Sequence, residues 1–174
     1  MTMPRPISLF LGLLGLLVTA ALAAALSGLW LTKQAEPDYA GELSLPGLQA
    51  PVHVDFGPHA VPSIRAESTR DLVFAQGYVV ASERMWQMDL MRRLAGGRLA
   101  ELFGAGALDV DRLFRTLGLG ASARRGVADL EAAERELLRA YADGVNAYQS
   151  TAAGRLPIEY RIAGLTPEPW APED

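Results

Sequence analysis

Hydrophobic positions in this chain fall into runs of two different kinds. Between Ile7 and Leu31 no charged residue occurs at all. As a helix rising about 1.5 Å per residue, that run is long enough to cross a hydrocarbon layer of about 30 Å. After Lys33 the apolar positions become periodic. Val52-His53-Val54-Asp55 alternates like a half-buried strand, and Val61-Pro62-Ser63-Ile64-Arg65-Ala66 reads as its partner across a turn at Gly57-Pro58. Pro62 places the second run at an edge or a strand start.

Helical spacing takes over next. Ser68 reads as an N-cap with Asp71 three residues on, an acidic variant of the capping box. The helix it opens is expected to stop near Gly77, where a second one starts. In that second helix Trp86, Leu90 and Leu94 form the apolar stripe, while Glu83, Arg84, Gln87, Asp89, Arg92 and Arg93 form the polar face. Asp89 and Arg93 are spaced as a helix-surface ion pair, worth roughly 0.3–0.5 kcal/mol. Short helical turns are expected at Arg98–Phe103 and Asp109–Leu117, punctuated by Gly104, Gly118 and Gly120. The longest helix is expected from Asp129, as cap, to about Ser150, on a stripe of Leu130, Leu137, Leu138, Tyr141, Val145 and Tyr148. Gly144 interrupts it at a cost of about 1 kcal/mol relative to Ala, which signals close helix packing. Beyond Gly154 the chain reads as irregular and Pro-rich.

The fold class is therefore α+β, mostly helical with a short β-hairpin. Three regions follow: an apolar segment at 1–33, a Pro/Gly-containing acidic linker at 34–50, and a folded part at 51–174. The apolar segment has two readings. It is a signal peptide cut after Ala21-Leu22-Ala23 or Ala23-Ala24-Ala25, or an uncleaved signal anchor spanning 7–31. Its length, longer than an ordinary signal-peptide core, favours the anchor, and either reading exports the chain after Lys33.

The 174 residues carry a formal net charge of −4 and no cysteine, which removes disulfides, thiolate catalysis and Cys-based zinc sites. Arg92-Arg93 and Arg124-Arg125 are isolated pairs without interleaved aromatics, so no nucleic-acid surface is indicated. The two histidines, His53 and His59, lie in the hairpin, far in sequence from Ser122 and without an acidic cluster for a metal. Gly104-Ala105-Gly106-Ala107 lacks the Lys-Ser/Thr of a phosphate loop.

The run Gly77-Tyr78-Val79-Val80-Ala81-Ser82-Glu83-Arg84-Met85-Trp86-Gln87-Met88-Asp89-Leu90-Met91-Arg92-Arg93 resembles a segment near the start of penicillin acylases. These belong to the N-terminal-nucleophile hydrolases, with cephalosporin and acyl-homoserine lactone acylases. Further blocks are similar, in the family's order: Val61–Ala66, Gly97–Gly104 with Glu101, Asp111 with Arg115, Tyr141-Ala142-Asp143-Gly144-Val145-Asn146-Ala147, Pro157-Ile158-Glu159-Tyr160 and Pro169–Asp174 with Trp170. The chain departs from the family at Phe56-Gly57, where Arg-Asp is usual, and at Ala60, where Gly is usual.

The resemblance implies a four-layer αββα hydrolase acting on an amide between an acyl group and a small amine. Its nucleophile is the serine at the N-terminus of a separate β chain, freed when the precursor cuts itself, with its own α-amino group as base. This chain resembles the α part. No catalytic, cofactor or metal residue is expected in it, and calcium belongs to the complete enzyme. The expected partners are the β chain of the same precursor, a small acylated amine and the inner membrane, on its periplasmic side, with no nucleic acid. On its own the fragment is expected to be inactive; a membrane-anchored, non-catalytic binding module built on the same scaffold is the alternative. The motif residues Tyr78, Arg84, Trp86, Gln87, Met88, Arg93, Glu101, Tyr141, Gly144, Asn146, Glu159, Trp170 and Asp174 are expected to be structural. Trp86, Tyr141 and Trp170 are expected in the core. Arg84, Glu101, Asp143 and Asn146 are expected to satisfy backbone groups or ion pairs that hold the chain to its partner.

Overall fold

A computed structural model describes residues 5–34, 39–152 and 155–174. The chain divides into two units, Met1–Glu36 and Pro37–Asp174. The first holds one helix, α1 (Arg5–Gln34), whose Leu9–Trp30 stretch is long and apolar enough to cross a membrane. Its large side chains are exposed, Leu9 by 74% and Leu16 by 66%, so its surface is suited to an apolar surrounding rather than to a protein core.

The second unit opens with an irregular stretch leading into the antiparallel hairpin β1 (His53–Phe56) and β2 (Pro62–Arg65). His53 pairs with Arg65 and Phe56 with Pro62, and the second strand begins at its proline as the missing N–H requires. The segment before the hairpin is not free-running. Gln49 and Ala50 donate their N–H groups to the carboxylate of Asp71 at 3.0 and 3.1 Å, and Arg70 donates to Gly47 O at 2.7 Å. Asp71 thus departs from the expected capping box. Its N–H donates to the Ser68 hydroxyl at 3.0 Å, and its carboxylate accepts from the upstream N–H groups.

Gly77 ends no helix. A single helix, α2, runs 27 residues from Thr69 to Ala95, longer than the one expected to be longest. Packed against it is α6 (Ala132–Thr151). The seam is made by backbones. A Cβ on Gly77 would collide with the Tyr141 carbonyl, and one on Gly144 with the Phe74 carbonyl. Each glycine is retained inside a helix because the partner helix lies where a side chain would stand. The close packing inferred from Gly144 is therefore present, and the same cause explains the unbroken helix at Gly77. Small residues carry most of the buried face of α6, Ala140, Ala142, Gly144 and Val145, with Tyr148 beside them, whereas Leu138 of the expected stripe is exposed.

Between the two long helices lie α3 (Ala100–Phe103), a 3-10 turn at Gly104–Ala107, α4 (Leu108–Leu117) and α5 (Leu119–Asp129). Gly118 adopts φ 70°, ψ 27°, left-handed backbone that separates α4 from α5; Gly120 sits inside α5 and punctuates nothing. Asp129 ends α5 instead of capping the last long helix. That cap is Glu131, in a reciprocal box with Glu134. A six-residue helix, α7 (Ile158–Ala163), forms where irregular chain was expected, and buries Tyr160. Burial pushes the Tyr160 phenol well above its ordinary range.

Candidate functional site

The second half of α2 carries the motif run and organises the polar chemistry of the molecule. Its buried line is Ala81, Met85, Asp89 and Arg93, one residue per turn. Trp86, Leu90 and Leu94, expected to lead the apolar stripe, are only half-buried. The Asp89–Arg93 pair is therefore no surface pair: Asp89 is fully buried and the Arg93 side chain is 3% exposed. Burial is tolerable because the charges are matched and hydrogen-bonded. Asp89 Oδ2 accepts from Arg93 Nε at 3.1 Å, while Oδ1 accepts from Arg92 Nη2 at 2.6 Å and Nε at 3.1 Å. One carboxylate serves two guanidinium groups, at the i+3 and i+4 positions.

From Arg93 the network passes to Glu101, then through Arg98 to the last segment of the chain. Arg98 donates to Glu101 at 2.7 and 2.9 Å and, as a two-pronged pair, to Glu168 at 2.5 and 2.9 Å. The Arg98 hydrogen bonds, opposed by burial, hold both carboxyls below the ordinary Glu range. A separate clamp fixes the turn after α2. Asp111 on α4 accepts from the N–H groups of Leu99 and Ala100 at 2.7 and 2.9 Å, and Arg115 donates to Gly97 O at 2.9 Å.

Residues 165–174 lie across α2 and α6. Asn146 clasps Trp170 by its backbone, donating to its carbonyl at 2.9 Å and accepting from its N–H at 2.7 Å. Gln149 donates to Glu168 O at 3.1 Å. Beside this segment is an open groove of about 520 Å³, lined by Arg84, Gln87, Met88, Met91, Arg92, Ala95, Tyr141, Trp170 and Asp174.

Six of the motif residues thus meet at one groove: Arg84, Gln87, Met88, Tyr141, Trp170 and Asp174. The others are distributed. Arg93 and Glu101 belong to the ion network beneath. Tyr78 shares a hydroxyl hydrogen bond with Thr151 at 3.2 Å and meets Tyr148 edge-on; Trp86 meets Tyr160 edge-on at 5.1 Å. Gly144 sits in the helix seam, and Glu159 is exposed in the first turn of α7. Asn146 satisfies backbone groups within this chain. Arg84 donates to Gln87 at 3.1 Å. Sequence reasoning missed Arg92 and the pair Arg98–Glu168. The available signal was an acid followed at both i+3 and i+4 by arginine, which lets one buried carboxylate bind both.

The groove's lining holds no serine, threonine, cysteine or histidine, and its arginines and Asp174 are engaged by neighbours. His53 and His59 are exposed in the hairpin region. Among the described residues no group of three or more His, Asp or Glu side chains converges as a metal site.

The penicillin amidase family model matches residues 51–174. Penicillin acylase 2 proenzyme of Pseudomonas sp. strain SE83 is 46% identical over 136 residues, covering 78% of this chain and 17% of that proenzyme. Acyl-homoserine lactone acylase QuiP of Pseudomonas fluorescens strain Pf-5 is 40% identical over 161 residues, covering 90% of this chain and 20% of QuiP. The chain thus spans about a fifth or less of the length of these relatives. Among solved structures, thermostable penicillin G acylase from Alcaligenes faecalis superposes with a TM-score of 0.65 at 35% identity, over 71% of this chain and 67% of that one.

Proposed function

The chain belongs to the penicillin amidase family, and from that membership we propose that it is the α-chain portion of an exported acylase that hydrolyses a linear amide. One observation carries the division into chains. The matched region covers 67% of the solved acylase chain but 17% of a proenzyme. A solved chain so much shorter than a proenzyme is what precursor cleavage produces. This supports a partner, the β chain of the same precursor, that brings the nucleophilic serine with its own α-amino group as base. The present chain supplies scaffold: a rigid helix pair, a saturated ion network and a shaped groove. The calcium of the complete enzyme belongs, in this reading, to residues outside this stretch.

Penicillin and acyl-homoserine lactone acylases among the relatives support a substrate made of an acyl group on a small amine. The α1 helix supports export, with the folded part on the periplasmic side of the inner membrane, anchored or released. The test is electrophoresis and N-terminal sequencing of the full-length product, purified after export. Two chains are expected, the larger beginning with Ser, Thr or Cys, and turning over one of a phenylacetyl, glutaryl or long-chain acyl amide. A single uncut, inactive chain would replace the hydrolase with a membrane-anchored binding module.

A further inference from the structure

Arg92 is absent from the motif residues singled out by sequence, yet its side chain makes five hydrogen bonds within the described polar network. Its side chain is only 7% exposed. A guanidinium has five N–H donors in a fixed plane, and here all five are used. Nε and one Nη2 proton go to Asp89 Oδ1, at 3.1 and 2.6 Å. The other Nη2 proton reaches Glu168 O at 3.4 Å, and Nη1 reaches Pro169 O at 3.0 Å and Asp174 Oδ2 at 3.2 Å. The guanidinium carbon also lies 4.6 Å from the Trp170 ring centroid, a cation–π distance. Asp89 fixes the guanidinium on α2, and its remaining donors and its face are spent on residues 168–174.

We propose that Arg92 is a positioning residue that sets the register of residues 168–174 on α2, and through Trp170 and Asp174 fixes one wall of the groove. The planar fork is the operative feature. Lysine keeps the charge but offers three donors on a single nitrogen, so it cannot hold Asp89, two carbonyls and Asp174 at once while covering the indole. Asn146 and Gln149 grip the same segment from α6, so without Arg92 the segment stays tethered on one side and moves on the other. This inference stands apart from the hydrolase reading, since it concerns how the segment is held.

Hydrogen exchange by mass spectrometry tests it on the full chain in detergent, as wild type, Arg92→Lys and Arg92→Met. In Arg92→Lys, the amides of 165–174 should exchange at least tenfold faster, while those of α2 around Phe74–Met85 and of α6 around Ala140–Tyr148 keep their protection. Arg92→Met should show the same pattern or a stronger one. Wild-type protection of 165–174 in the lysine variant would mean that charge alone suffices, which overturns the proposal. Loss of protection spread evenly over α2 and α6 in the lysine variant would overturn it as well, by making Arg92 a general support of the helix pair. Neither result bears on the acylase assignment, which is read by chain processing and turnover.

Discussion

Single acids in this molecule do the work of whole turns. Asp71 is fully buried and yet ionised. Burial acts to raise its carboxyl pKa, but the N–H groups of Gln49 and Ala50, the Ser68 side chain and the neighbouring Arg70 outweigh it, and the net displacement is downward. Asp71→Asn keeps the shape and removes the charge from two backbone hydrogen bonds, so it should cost about 1.5–3 kcal/mol in urea or thermal unfolding. The pH dependence follows from the sign. A carboxyl held below its ordinary value of about 3.9 contributes full stability above that value and loses it as pH falls through the native one. Glu101 and Glu168, displaced the same way by Arg98, add to the effect. Wild type should therefore lose stability as the pH falls below about 4, and Asp71→Asn should show a shallower acid slope when Tm is followed from pH 6 to pH 3.

At the scale of elements, the governing contact is α2 on α6. Gly144→Ala should place a methyl group against the Phe74 carbonyl and destabilise the fold by roughly 1–3 kcal/mol, as overpacking does. Gly77→Ala acts on the same seam, so the double variant should be non-additive in denaturant unfolding. This seam also marks the limit of what the sequence disclosed. The hairpin, the Ser68 cap and the short helices were legible because alternation, capping residues and glycines act locally. Gly77 reads as a stop because a glycine within a helical pattern carries no local sign of a partner backbone lying against it. Asp89 and Arg93 read as surface for a similar reason: charge predicts exposure until the neutralising partners are known, and Glu101 comes from a later turn. Half of the groove's motif residues lie in the α2 run, but Tyr141, Trp170 and Asp174 reach it only through tertiary packing.

For the whole molecule, the prediction concerns α1. A chain carrying Leu9–Trp30 should sediment with membranes and resist alkaline carbonate extraction if the segment stays as an anchor. Removing residues 1–33 should leave the folded unit in the soluble fraction. Recovery of soluble periplasmic protein beginning at Ala24 or Leu26 would identify the segment as a signal peptide.

The backbone-to-backbone seam has a consequence for recombining relatives. Gly77 and Gly144 are two notches at one close approach, where residues 74–78 of α2 meet 141–144 of α6, and a slide of either helix by a residue would drive a side chain into the other's backbone. The modular unit of such chains is then the block 69–151 with both glycines. A chimera exchanging that block whole should inherit a working crossing, whereas one that splits it must reproduce the fit of two main chains at once.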